Sequence, residues 1–168
     1  MLAGCAALMA GCTPVPGPGP GNSSKTLRVA PPCRASQLRP NLFLQGATGK
    51  LLGGIDFRIV GSQPCSLFFG PPQVSLSGTH ARYSVYTMRP VGRGGDARPV
   101  RNLRSLRQGD RVVVDLSWSN WCGQPPKALV VTIPFGGGTF RLRPPGTPRC
   151  DVESQPSRLG VGPIVPVR

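Results

Sequence analysis

"LRQGDRVVVDLSWSNWCGQPPKALVVTIP", residues 106–134, decides the fold class. Within it, "RVVVDLSW" (111–118) and "KALVVTI" (127–133) alternate apolar and polar side chains. A period of two belongs to a strand with one buried face. "LRQGD" and "CGQPP" punctuate these runs with glycine and proline, the residues that break regular structure. The alternation returns in "TFRLR" (139–143) and, more weakly, in "NLFLQ" (41–45), "GIDFRIV" (54–60), "QVSL" (73–76) and "RYSVYTM" (82–88). "GSQP", "FGPP" and "FGGG" are the further turn signals. No ten-residue stretch free of glycine and proline carries a 3.6-residue apolar stripe. Many short strands at this spacing predict an all-β chain, an immunoglobulin-like antiparallel β-sandwich. Trp118 and Trp121, flanking the "SNWC" corner, are expected to pack into core and corner rather than to form a ligand platform.

The 168 residues suffice for one domain with tails. Hydrophobic residues make up 39%, enough for one modest core. Glycine (23) and proline (21) together form about a quarter of the chain, which favours turns and low-complexity tails over long helices. The formal charge is +14, and the only lysines among the 20 basic residues are Lys25, Lys50 and Lys127. A bias toward alanine, glycine, proline and arginine is what GC-rich coding produces by itself. The resulting field nevertheless favours anionic partners.

The first residues, "MLAGCAALMAGCTPVPGPGPGNSS", indicate export. "LMAGC" (8–12) resembles a bacterial lipobox, in which small residues let a signal peptidase grip an extended chain before the cysteine to be acylated. "LAGC" (2–5) fits letter by letter but has almost no apolar segment ahead of it. Residues 1–12 therefore read as a partial lipoprotein signal segment ending at Cys12, and 13–26 as a Pro/Gly-rich tether. Residues 27–168 are the expected β-sandwich domain. No basic residue precedes Lys25 and the apolar run is short, so the expected translation start lies upstream of Met1. The remaining alternative is a soluble, apolar N-terminus. No later run approaches the ~20 apolar residues of a membrane span, so the lipid is the expected anchor.

Setting aside Cys5 and Cys12 leaves Cys33, Cys65, Cys122 and Cys150. Four cysteines in an exported domain read as two disulfides with three possible connectivities. Chain order favours Cys33–Cys65 and Cys122–Cys150. Each would close about thirty residues, worth roughly 3–4 kcal/mol in the chain-entropy model. Cys65 is expected to staple a hairpin end, at "GSQPCSL" (61–67), to the segment entering the domain. Zinc competes poorly, because there is no C-x-x-C pair and His80 is the single histidine. No metal site or cofactor is expected.

"CRASQL" (33–38), "GSQPCSLFFGPPQVSL" (61–76), "LRQGDRVVVDLSW" (106–118) and "CGQPPKALVVTIP" (122–134) carry a resemblance. Together they resemble the actinobacterial domain of unknown function 4232. That family opens with Cys-x-x-x-x-Leu, continues with a Gly-Ser-x-Pro-Cys-x-Leu-x-Gly-x-Pro-x-Val block and ends with a late cysteine pair. The similarity runs from Cys33 to about Pro163 and takes in "PRCD" and "SRLGVGP"; the Pro-Cys block is its most specific part. It implies a secreted or lipid-anchored β-sandwich of the cell envelope with no catalytic residues. Ile59 and Val60 depart from the family's frequent Asn-Thr, and Pro71 stands in place of an aromatic residue.

Nothing in the sequence assembles an enzyme. "GATGK" (46–50) lacks the spacing of a phosphate loop and reads as a hairpin turn. His80 has no nucleophile elbow beside it. Asp56, Asp96, Asp110, Asp115, Asp151 and Glu153 are scattered rather than paired. Above this background stands the series Arg89, Arg93, Arg98, Arg101, Arg104, Arg107 and Arg111. The guanidinium fork suits phosphate and carboxylate, so Arg98, Arg101, Arg104 and Arg107 are the candidate anion-binding residues. They would dock on phosphate-bearing envelope polymers or lipid head groups; the competing reading is a solvated loop. Arg34, Arg39, Arg141 and Arg143 are expected to lie elsewhere. Nucleic acid is not an expected partner, since no aromatics interleave with these arginines.

The expectation is thus a lipid-anchored protein on the extracytoplasmic face of the membrane, or a secreted one. Its role is non-enzymatic binding or structural interaction, with anionic envelope polymers or another envelope protein as partner. The alternatives are an extracytoplasmic enzyme with an unrecognised site and, without export, a basic nucleic-acid binder.

Overall fold

The computed structural model describes residues 30–79, 81–89 and 103–167, with backbone alone at 103 and 104. The leader (1–12) with Cys12, the tether (13–26), His80, Arg98 and Arg101 lie outside the described residues.

The chain is all-β. A short 3-10 turn, Ala35–Gln37, leads into β1 (Leu38–Ala47) and β2 (Lys50–Ile59). β3 (Cys65–Phe68), β4 (Gln73–Ser77), β5 (Tyr83–Thr87) and β6 (Leu103–Leu106) follow, then β7 (Arg111–Ser119). β8 (Ala128–Ile133), β9 (Gly138–Leu142) and β10 (Ser157–Pro166) complete it. Five strands form one sheet in the order β1-β2-β7-β10-β5, packed against a three-stranded sheet, β4-β8-β9, and the pair β3-β6.

One buried cluster joins these sheets. The alternation in β7 buries Val112, Val114, Leu116 and Trp118, while β2 contributes Ile55, Phe57 and Ile59. Leu67, Val131 and Ile133 meet them from the smaller sheets, and Phe57 meets Phe140 edge-on at 5.3 Å. Full burial of such a side chain is worth roughly 1.5–3 kcal/mol. Trp118 and Trp121 are both buried and stack edge to face at 5.1 Å, so they belong to the core as expected.

Both expected disulfides are present, Cys33–Cys65 and Cys122–Cys150. The first fastens the entering chain to β3. There Pro32 bridges Ser66 in parallel. The Cys33 N–H donates to Ser66 O at 3.0 Å and the Ser66 N–H to Pro31 O at 2.8 Å. The second closes the loop that precedes β10. Asn120, in the left-handed region at φ 55°, organises that loop through both ends of its amide. Its Nδ2 donates to Val152 O and Gln155 O, and its Oδ1 accepts from the Asp151 and Val152 N–H groups.

Three details differ from the sequence reading. "GSQP" is not a hairpin: β2 lies between β1 and β7, while β3 pairs with β6, so these residues carry the chain from one sheet to another. The sandwich is not wholly antiparallel, because β5 runs parallel to β10 at the sheet edge. β10 itself was hidden by its glycines and Pro163. A register shift between Val161 and Ile164 accommodates the Gly162–Pro163 step, as a bulge does where proline cannot donate to a ladder.

Candidate anion-binding corner

The "GATGK" turn is the two-residue hairpin expected. Ala47 faces Lys50, and Thr48 and Gly49 both have positive φ (24° and 75°), the geometry that joins tightly twisted strands. From this turn the ladder places Arg39 opposite Arg58, and the β2–β7 ladder places Arg58 opposite Arg111. All three are exposed and share the outer face of the five-stranded sheet. Directly opposed side chains have Cβ atoms about 4.5–5.5 Å apart, so three arginine side chains start from one row across three strands.

One acid serves this row. Arg111 donates through Nε to both oxygens of Asp56, at 3.0 and 3.3 Å, and through Nη2 to Oδ2. The hydrogen bonds and charge of Asp56 raise the Arg111 pKa above its ordinary value. Arg39 and Arg58 have no ion pair among the described residues.

The β6–β7 turn adds a fourth cation. Asp110 Oδ2 accepts the Arg107 N–H at 2.8 Å and holds the turn. Gly109 N–H donates to Ile59 O, and Ile59 N–H to Asp110 O, fixing the turn against the end of β2. Arg107 is therefore exposed at the end of the molecule that carries Arg58. A shallow groove lined by Leu106, Gly109, Asp110, Arg111, Pro166 and Val167 runs beside it. The carboxylate of Asp110 makes that groove less hospitable to an anion than the open face bearing Arg39 and Arg58.

Of the four arginines singled out by sequence, Arg107 is thus part of this corner. Arg104 lies on β6, its backbone opposite Leu67. Arg98 and Arg101 fall outside the described residues. Arg39, expected to be remote, is instead at the start of the row. Arg141 is on β9 in the other sheet, where Nη2 donates to Ser77 Oγ at 3.1 Å. No cluster of metal-ligating side chains occurs among the described residues. No family model, curated protein or solved structure matches this chain.

Like charges directly opposed across a ladder are destabilising by roughly 0.2–1 kcal/mol. Arg58→Thr, which keeps a β-favouring side chain, should therefore raise the melting temperature at low salt by a few degrees. The gain should shrink in molar salt, where screening acts within about 3 Å. A lower melting temperature than the parent at low salt would show that Arg58 is held by a favourable contact.

Proposed function

We propose that the protein is an exported, lipid-anchored envelope protein that acts by binding rather than catalysis. Phosphate-bearing envelope material docks on its arginine surface. The carrying observation is the Arg39–Arg58 pair: two exposed arginines directly opposed on the β1–β2 ladder, with no ion pair among the described residues. Two disulfides support an oxidising, extracytoplasmic compartment. The Pro-Cys block and cysteine spacing support kinship with the actinobacterial domain of unknown function 4232, and the lipobox-like "LMAGC" supports acylation at Cys12.

The anchor is tested by phase partitioning of the gene product expressed with its complete leader. The parent should enter the detergent phase, and Cys12→Ala should stay aqueous or appear in the medium. Equal, aqueous behaviour of the two forms would remove the lipoprotein reading.

A further inference from the structure

The two disulfides are held in different ways. Cys33 and Cys65 are 0% exposed and belong to the buried cluster that joins the sheets. Backbone hydrogen bonds flank them, from the Cys33 N–H to Ser66 O and from the Ser66 N–H to Pro31 O. Cys122 is only half-buried, and Cys150 is exposed. A disulfide opens when a thiolate attacks one of its sulfurs, so access decides whether the folded protein can react. A buried bridge must wait for the structure around it to open.

The surroundings of the second bridge also suit an opened state. On the C-terminal side of Cys150, Asn120 holds the chain without help from the bridge. Its Oδ1 accepts the Asp151 and Val152 N–H groups at 2.9 and 2.8 Å, and its Nδ2 donates to Val152 O and Gln155 O. Soon after, β10 begins at Ser157, whose Oγ accepts the indole N–H of Trp118. Asn120 Oδ1 also lies 3.6 Å from the Cys122 sulfur, within reach of an S–H group there once the bridge is reduced. On the N-terminal side of Cys150 the chain is held lightly. Among the described residues, no hydrogen bond ties residues 144–149 to the fold. Arg149 reaches Asp151 through an exposed ion pair at 3.9 Å, and of these six residues Pro148 alone is buried.

We infer that Cys122–Cys150 is an exchangeable bridge: a dithiol reductant opens it in the folded protein, and the opening loosens residues 144–149 while both sheets and Cys33–Cys65 stay in place. One thiolate of the reductant attacks the sulfur of exposed Cys150. The Cys122–Cys150 bond breaks, and Cys122 leaves as a thiolate that takes up a proton. The second thiolate of the reductant then attacks the reductant's own sulfur in the mixed disulfide and releases Cys150, which is protonated in turn. Two electrons pass to the protein, leaving it with two thiols and the reductant with a disulfide. Cys33–Cys65 is the permanent staple and Cys122–Cys150 the site of modification. The exchange needs neither the lipid anchor nor the arginine surface.

The test uses the 168-residue chain with Cys5→Ser and Cys12→Ser, so that Cys33, Cys65, Cys122 and Cys150 are the only cysteines left. Dithiothreitol is added at neutral pH without denaturant, free thiols are trapped with iodoacetamide over time, and peptide mapping locates them. Cys122 and Cys150 should be labelled together, at least about tenfold faster than Cys33 and Cys65. The far-ultraviolet circular dichroism should keep the spectrum of the oxidised protein while the second bridge alone is open. Limited trypsin digestion should then cut after Arg149 several-fold faster than in the oxidised chain. Cys122→Ser with Cys150→Ser should show the same fast cut without reductant. Glutathione, a monothiol, should be caught on Cys150 rather than on Cys122. Equal labelling of the two bridges, or earlier labelling of Cys33 and Cys65, would overturn the inference, as would loss of the β spectrum when the second bridge opens. An unchanged rate of cleavage after Arg149 would overturn the loosening, and glutathione on Cys122 would overturn the route of attack.

Discussion

Trp118→Ala is expected to lower the unfolding free energy by about 4 kcal/mol, a large part of the margin of a domain this size. Trp118 is 1% exposed and sits opposite Leu51 on β2 and Leu159 on β10, so its removal opens a void under the central strand of the large sheet, near its C-terminal end. Relaxation into that void is limited by the ladders on both sides. A polar term adds to the loss. The indole N–H donates to Ser157 Oγ at 2.8 Å, and that hydroxyl donates to Ser119 O at 2.9 Å. Ser157 is itself buried, and a buried acceptor left without its donor is unfavourable by about 1–3 kcal/mol. Urea denaturation under non-reducing conditions should show the midpoint falling by about 2 M. Trp118→Phe, which refills most of the volume but not the hydrogen bond, should recover more than half of the loss. A drop below about 1 kcal/mol for the alanine variant would contradict the packing described, since core aromatic truncations fall well above it.

The second large effect is expected from removing Cys33–Cys65 with paired alanines. The bridge closes a separation of 32 residues, so the chain-entropy model gives a loss of roughly 3–4 kcal/mol. The loss should exceed that of Cys122→Ala with Cys150→Ala. The first bridge also secures the hydrogen bonds by which residues 31–33 join β3, whereas the loop near the second is independently gripped by Asn120. Parallel denaturation of the two double variants decides this. The opposite ranking would show that the entering segment holds to β3 without its staple.

Much of this architecture is legible in the residues. The alternation of 111–118 and 127–133 is strong because each strand has one face on the core and one toward solvent. The pairing of the cysteines followed from chain order. Even Arg39 and Arg58 were within reach: a two-residue turn at Thr48–Gly49 sets Ala47 against Lys50, and counting outward along both strands brings the two arginines together. The place of Arg111 beside Arg58 was not within reach, because no turn connects β2 to β7 and nothing local sets their register. The arginine series between 89 and 111 drew attention because its members are neighbours in sequence, whereas the row is assembled from three strands. "GSQP" misleads for a related reason: glycine and proline say that the chain bends, not which sheet it enters next. β3 and β6, four residues each, are too short to show a period.

The position of β10 also governs the order in which the sheet can be completed during synthesis. β1, β2 and β7 are contained in residues 38–119 and can pair as soon as that stretch exists. β10 supplies the far neighbour of β7 and the neighbour of β5, and Ser157 follows its partner Tyr83 by 74 residues. Such distant pairing is slow to form. The nascent polypeptide must therefore wait for its tenth strand before the large sheet can close. If the chain is exported, as proposed above, this leaves an interval in which it can still be threaded through a translocation channel.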